Sequence, residues 1–328
     1  MPGQRQISAY RDELKGLAIL WVVFYHAKLG LTGVWGGFQS LGYAGVDIFF
    51  FLTGFGLYRS LEKESALKPY CLRRARRILP AYLPLCAVWL CLMLLALRPS
   101  FVPTVQTIAG NLFLIGYWGN APYMISWYVS GLVMALALAP FAHACLSKAE
   151  KPRRAALLLV VSGALCGLCF LFDERLIMVS RLPVFFLGMA FSMPRGDADE
   201  TERRSGSVAA ALYGLCFAAG CGLLFVCRRY LPAALLDYGM YWYPWALIVP
   251  PLCAGLGWLM QKAGGPRRYF APLGVMGRAS FEIFLLDCGM EVYLKKVLNL
   301  GVSPFWFWGS LACVILGCLY HQLAKKLK

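Results

Sequence analysis

Long apolar runs separated by short polar, often basic, stretches set the rhythm of this chain. Apolar segments occupy about residues 14–31, 41–58, 78–97, 126–146, 155–172, 176–193, 207–227, 241–261, 278–298 and 304–324. Most approach the roughly 20 residues a helix needs to cross a hydrocarbon core. A further run, 99–125, is broken by Pro103, Gly110, Asn111, Gly116, Gly119 and Pro122. The pattern predicts an all-α polytopic transmembrane bundle of about ten spanning helices. Residues 99–125 are expected to form a re-entrant segment or extracytoplasmic hairpin, because broken backbone is tolerated at membrane depth where it lines a cavity. No repeat period is visible, and the chain reads as one integral membrane domain, 1–328.

Composition agrees. The 328 residues are 60% hydrophobic and only 15% charged, where a soluble domain carries about 25% charged residues. The net charge of +16 would point to nucleic acid in a soluble protein, but no basic stretch interleaved with aromatics is present. The charge instead follows topology. Connections 59–77, 147–154, 194–206 and 262–278, with the two termini, hold 24 of the 32 Lys and Arg residues. Ten spans with both termini cytoplasmic put every dense cluster inside, as the positive-inside rule asks. Counting 99–125 as a span would instead place the basic run at 151–154 outside. The first apolar run lacks a small-residue cleavage site and reads as a retained helix rather than a signal peptide. Most of the thirteen cysteines fall in apolar runs, where they act as small hydrophobes. Cys166 and Cys169 have metal-pair spacing but no second pair or histidine nearby, so no metal site is expected.

An ionisable group within a spanning helix costs at least about 2.5–3.5 kcal/mol, so each is a candidate functional site. Here they are His26, Asp47, Arg181, Glu282, Asp287 and Glu291, with Arg74 and Arg77 at a cytoplasmic helix mouth. In the first helix Asp12, Lys15, Ile19, Val22 and His26 form an i, i+3, i+4 stripe. Lys15 and His26 share a face, with His26 roughly 16 Å further along the axis, toward the outside. Asp47, at the outer start of the second helix, stands at the depth of His26 and could orient it as a general base. It could equally be a favourable charge at a helix N-terminus. Glycines 42, 45, 54 and 56 suit close helix packing. In CLRRARRILPAY (71–82) four arginines in five residues either mark the cytoplasmic side or bind an anionic, phosphate-bearing ligand bidentately.

Several blocks, in order, resemble the acyltransferase 3 family of membrane-bound enzymes that mostly O-acetylate extracytoplasmic glycans. They are RDELKGLAILWVVFYH (11–26), GYAGVDIFFFLTGF (42–55), RRARRILPAY, SWYVSGLV (126–133), SRLPVFFLGM (180–189) and GRASFEIFLLD (277–287). The resemblance implies that Lys15 and His26 are the family's basic residue and catalytic histidine, with Asp12 beside them. Arg74 and Arg77 correspond to its Arg-x-x-Arg element, thought to engage the acyl-CoA donor; Arg73 and Arg76 fit the bare spacing. Arg181 matches an arginine of the seventh helix. Asp287 stands where the late block often ends in His, and Thr53 where the second usually has Ser. The soluble esterase-like domain that many members append is not seen here, which implies direct acylation or a separate extracytoplasmic transferase.

The expected function is transfer of an acyl, most simply acetyl, group from cytoplasmic acyl-CoA to a hydroxyl of a sugar or lipid-linked sugar outside. His26 would serve as general base or acyl carrier, Asp47 or another intramembrane carboxylate as its orienter, and Glu282, Asp287 and Arg181 as substrate or structural groups. Acyl-CoA is expected as co-substrate, with no bound cofactor. The rival readings are a transporter or flippase of a lipid-linked saccharide or small metabolite, which intramembrane charges also suit, and a non-catalytic partner subunit.

Overall fold

The computed structural model describes residues 3–64, 66–119, 121–148, 153–154, 156–158, 160–161, 164, 176–193, 202–230, 243–263 and 270–326. Among these residues the structure is helical, without strands. The helices are α1 (Gln4–Ala9), α2 (Arg11–His26), α3 (Gly33–Ser40), α4 (Gly45–Lys63), α5 (Leu67–Leu97), α6 (Phe101–Leu112) and α7 (Trp127–Lys148). They continue as α8 (Leu176–Val179), α9 (Leu182–Phe191), α10 (Glu202–Tyr230), α11 (Pro244–Lys262), α12 (Ala271–Arg278), α13 (Ser280–Lys296) and α14 (Pro304–Lys326).

Among the described residues, five stretches are long and apolar enough to cross a membrane: Gly33–Lys63, Leu67–Leu97, Trp127–Ser147, Val208–Tyr230 and Pro304–Lys326. This is the pattern of a multi-pass membrane protein, with fewer qualifying spans than the ten expected. Three of the five missing spans have identifiable sources. The first run ends as helix at His26, because Lys28 (φ 41°) and Gly30 (φ 66°) turn the backbone left-handed. The resulting 16-residue helix is about 24 Å long, short of a core of about 30 Å. The run at 176–193 is split by Ser180–Arg181 into α8 and α9. Most of the expected span at 155–172, with Cys166 and Cys169, lies outside the described residues. Residues 99–125 are a 12-residue helix, α6, followed by turns; at about 18 Å that helix cannot cross alone.

The chain divides into two compact units. The first comprises Met1–Leu14, Asp47–Ser65 and Ala135–Phe270. Within it α11 packs against α1, α9 and α10. The residues 47–63 of α4 meet α9 backbone to backbone: a Cβ on Gly54 would strike the carbonyl of Phe185, and one on Gly188 that of Phe51. These reciprocal glycines serve close approach, as small residues do between membrane helices.

The second unit comprises Lys15–Val46, Ala66–Met134 and Ala271–Lys328. Its centre is the hairpin of α13 and α14, which are antiparallel across the short connection 297–303 and both pack on α5. Gly289 of α13 faces the Trp89 indole of α5, leaving no room for a side chain. Trp306, Cys313, Met290 and Leu294 form an apolar cluster, flanked by Trp89, Leu286 and Leu300. The turns after α6 are organised by Asn111. Its side-chain amide donates to the carbonyls of Thr107 (2.8 Å) and Tyr123 (3.0 Å), and its Oδ1 accepts from the Ile125 N–H (3.0 Å). The Tyr82 hydroxyl donates to the Asn111 carbonyl (2.8 Å), tying the segment to α5. Backbone groups in this irregular stretch thereby find partners that water would otherwise supply.

Candidate active site

The second unit places His26, in the last turn of α2, against one face of α13. Asp287, Glu291 and Lys295 recur on that face at intervals of four residues, so they stack along it. His26 Nδ1 lies 2.6 Å from Asp287 Oδ2, and Nε2 lies 3.3 Å from Glu291 Oε2. An ionised carboxylate only accepts hydrogen bonds, so Nδ1–H is the donor to Asp287, and in a neutral ring Nε2 carries the lone pair.

Burial grades the three groups. The Asp287 side chain is fully buried, while His26 and Glu291 are 11% and 17% exposed. Asp287 therefore holds the imidazole from inside, and Nε2 faces the open edge. Asp287 Oδ1 has no hydrogen-bond partner. Glu291 Oε1 accepts from the Lys295 ammonium. Lys28, just beyond α2, rests its ammonium 3.8 Å from the centroid of the Trp306 ring and lies within electrostatic reach of Glu291. Trp306, whose indole N–H donates to the Gly301 carbonyl at 2.7 Å, is fully buried. The ion-pair chain thus lies beside the dry cluster of α13 and α14, where electrostatic interactions are stronger than in water.

Asp47, expected to orient the histidine, has an arginine as its partner. In the first unit, Asp47 Oδ1 lies 3.8 Å from Arg181 Nε, both side chains fully buried, and the Arg181 guanidinium also donates to the Ile177 carbonyl. Two charges removed from water must meet each other, and Asp47 meets arginine. Arg181 stands at the residue position that opens α9. The carboxylate on the imidazole is Asp287.

The remaining expected residues lie elsewhere. Because α2 is continuous from Arg11 to His26, Lys15 stays roughly 16 Å from the imidazole along the axis. Asp12 lies in the first turn of α2. Arg74 is half-buried, with its guanidinium 5.4 Å from the Tyr70 ring centroid. Arg77, one turn on, is exposed and interacts electrostatically with Tyr128, which packs on Phe284 of α13 at 4.6 Å between ring centroids. Arg73 and Arg76 are exposed on another face of α5.

Glu282 has a partner that sequence reasoning missed. His321 Nδ1 of α14 lies 2.9 Å from Glu282 Oε1. The signal available was scarcity: with three histidines in the chain, an intramembrane carboxylate has few imidazoles to meet. The third, His143, lies tilted against Tyr58 at 4.8 Å between ring centroids. Among the described residues no group of three or more metal-ligating side chains is poised to hold a metal ion.

Known proteins bear on this geometry. A family model described as an acyltransferase domain, acyltransferase 3, matches residues 9–321. A Staphylococcus aureus protein named as a candidate O-acetyltransferase is 29% identical over 126 residues, which are 36% of this chain and 18% of that one. The exopolysaccharide production protein ExoZ of Rhizobium meliloti is 26% identical over 301 residues, covering 88% of this chain and 89% of its own. BcsY of Komagataeibacter xylinus, named as a candidate membrane-bound transacylase, is 25% identical over 340 residues, covering 96% and 81%. The chain thus spans under a fifth of the Staphylococcus protein but most of ExoZ and BcsY. No solved structure matches the chain.

Proposed function

This chain belongs to the acyltransferase 3 family, and on that premise we propose that it moves an acetyl group from acyl-CoA to a hydroxyl of a carbohydrate on the far side of the membrane. Acyl transfer itself follows from the family. The donor, the acceptor and the direction are our reading. The observation that carries it is the His26–Asp287 contact at 2.6 Å.

In that pair Asp287 holds the ring with Nδ1 as donor, which leaves Nε2 basic. Nε2 takes the acceptor hydroxyl's proton as the oxygen attacks the thioester carbonyl. The C–S bond then breaks, and the proton passes to the departing thiolate. A base so placed contributes about 10²–10⁴-fold. Arg74 and Arg77, three residues apart on α5 and therefore on one face, supply forks for the CoA phosphates. The basic end of α5 faces the cytoplasm under the positive-inside rule, with both termini on the same side. ExoZ bears a name tied to exopolysaccharide, which favours a glycan or lipid-linked sugar over a protein acceptor. A separate extracytoplasmic transferase could carry the acetyl group onward.

The test is replacement of His26 by Ala in the native cells, with mass spectrometry of surface carbohydrate. We expect the acetyl ester to disappear. Undiminished ester at normal protein level would overturn the reading.

A further inference from the structure

Among the described residues Glu291 is the one carboxylate on the imidazole's open edge, and the family reading assigns it no part. Its position is chemically odd. With Nδ1–H committed to Asp287 Oδ2 at 2.6 Å, Nε2 of a neutral ring presents a lone pair. It faces a carboxylate oxygen, Glu291 Oε2, at 3.3 Å. Two acceptors that face each other are satisfied only when hydrogen is supplied between or beside them. In the free protein a proton on the imidazole can do this. A substrate can do it with hydroxyls.

We propose that His26 Nε2 and Glu291 Oε2 together form a two-point seat for neighbouring hydroxyls of a carbohydrate acceptor, with Glu291 as an acceptor-binding residue. This rests on the acyl-transfer reading of His26. One hydroxyl donates to Nε2 and is the one acylated; the adjacent hydroxyl donates to Oε2 and fixes the ring's orientation. Water or a simple alcohol fills one point only, while a vicinal diol fills both.

Three features support this seat. Glu291 Oε1 is held by the Lys295 ammonium and the carboxylate is drawn also by Lys28, so Oε2 stays presented rather than swinging free. Glu291 and His26 are the partly exposed members of the cluster, while Asp287 is fully buried, so a ligand reaches the first two and not the third. Tyr25, 39% exposed, has its ring centroid 5.3 Å from that of His26. It gives the seat an aromatic wall of the kind against which sugar rings pack.

The step balances without a further reactant. The hydroxyl proton goes to Nε2, the new C–O bond forms as the thioester C–S bond breaks, and the proton leaves with CoA as the free thiol. Glu291 takes no proton; it orders the second hydroxyl.

The experiment uses the full chain in nanodiscs with labelled acetyl-CoA and two probes, trans-1,2-cyclohexanediol and cyclohexanol. Hydrolysis of acetyl-CoA to free thiol serves as a readout that needs no sugar. We expect the wild type to favour the diol at least about tenfold in kcat/KM, the scale of one hydrogen bond to a charged group. Glu291→Ala should abolish that preference by raising the KM of the diol and not that of cyclohexanol. Glu291→Gln, which keeps an acceptor oxygen, should restore part of it. A wild type that hydrolyses acetyl-CoA without preferring the diol overturns the proposal, as does Glu291→Ala or, should that variant not accumulate, Glu291→Leu with the preference intact. His26→Ala separates the two readings: transfer that survives it sinks the role of His26 itself, whereas loss of transfer and hydrolysis together leaves Glu291 to be judged alone.

Discussion

Asp287→Asn is the sharpest perturbation of this site, because it should lower activity while leaving folding nearly unchanged. The substitution preserves shape and removes one charge from a side chain with no exposure, whose Oδ2 accepts from His26 Nδ1 at 2.6 Å. A hydrogen bond to a charged group contributes roughly 1.5–3 kcal/mol. Its loss alone weakens the hold on the ring by about 10–150-fold, at 1.36 kcal/mol per decade. The amide can also present its NH₂ to Nδ1. That would select the opposite tautomer and place the proton on Nε2, where the base is needed. In hydrolases with a His–Asp pair the same exchange lowers kcat about 10⁴-fold. We therefore expect acetyl transfer to fall by about 10²–10⁴-fold, which corresponds to about 2.7–5.4 kcal/mol of transition-state stabilisation. Folding should suffer little, since a buried carboxylate with one oxygen lacking a hydrogen-bond partner is costly to desolvate and the amide is not charged. The assay pairs initial rates with acetyl-CoA in nanodiscs with a thermal melt of the same preparation. A variant that melts like the wild type and keeps more than a tenth of its transfer rate refutes the orienting role of Asp287.

Four further outcomes can be checked. Arg77→Ala should raise the acetyl-CoA KM about tenfold or more, with a smaller change in kcat, if its guanidinium binds CoA phosphate; initial-rate kinetics decide. Gly289→Ala should lower stability by about 1–3 kcal/mol through overpacking against the Trp89 indole, and Trp89→Leu in the same chain should recover much of it in a thermal melt. Asn111→Ala deletes two hydrogen bonds to the turns after α6 and one to Thr107 within it. About 1–3 kcal/mol of local stability should go with them, seen as faster proteolytic cleavage between 113 and 124. Glu282→Gln, at the 2.9 Å contact with His321, should cost stability modestly, since the imidazole is 23% exposed, and should leave the acceptor KM unchanged.

Residue pattern alone determined the class of this molecule. Apolar runs of membrane length and loop charges predict helices in a bilayer, because lipid admits only backbone that satisfies itself, and most described residues of those runs are helical. Pattern also singled out His26, since an imidazole in an apolar helix is costly enough to need a reason. Where the helices stop was less legible. The end of α2 at His26 depends on left-handed backbone at Lys28 and Gly30, and a Lys in that conformation leaves no sequence mark.

Partnership was decided by tertiary structure. Asp47 and Asp287 were both intramembrane carboxylates that could orient His26, and depth along the first two helices favoured Asp47. Packing assigned Asp47 to Arg181 and Asp287 to His26, at a sequence separation of 261 residues in the latter case. Periodicity reports which face of a helix a residue occupies, not which neighbour that face meets. The hairpin of α13 and α14, seated on α5 through the Gly289–Trp89 contact, supplies the face on which Asp287, Glu291 and Lys295 meet His26. A one-dimensional pattern carries the cost of burying each charge, while only the packed chain shows which opposite charge offsets it.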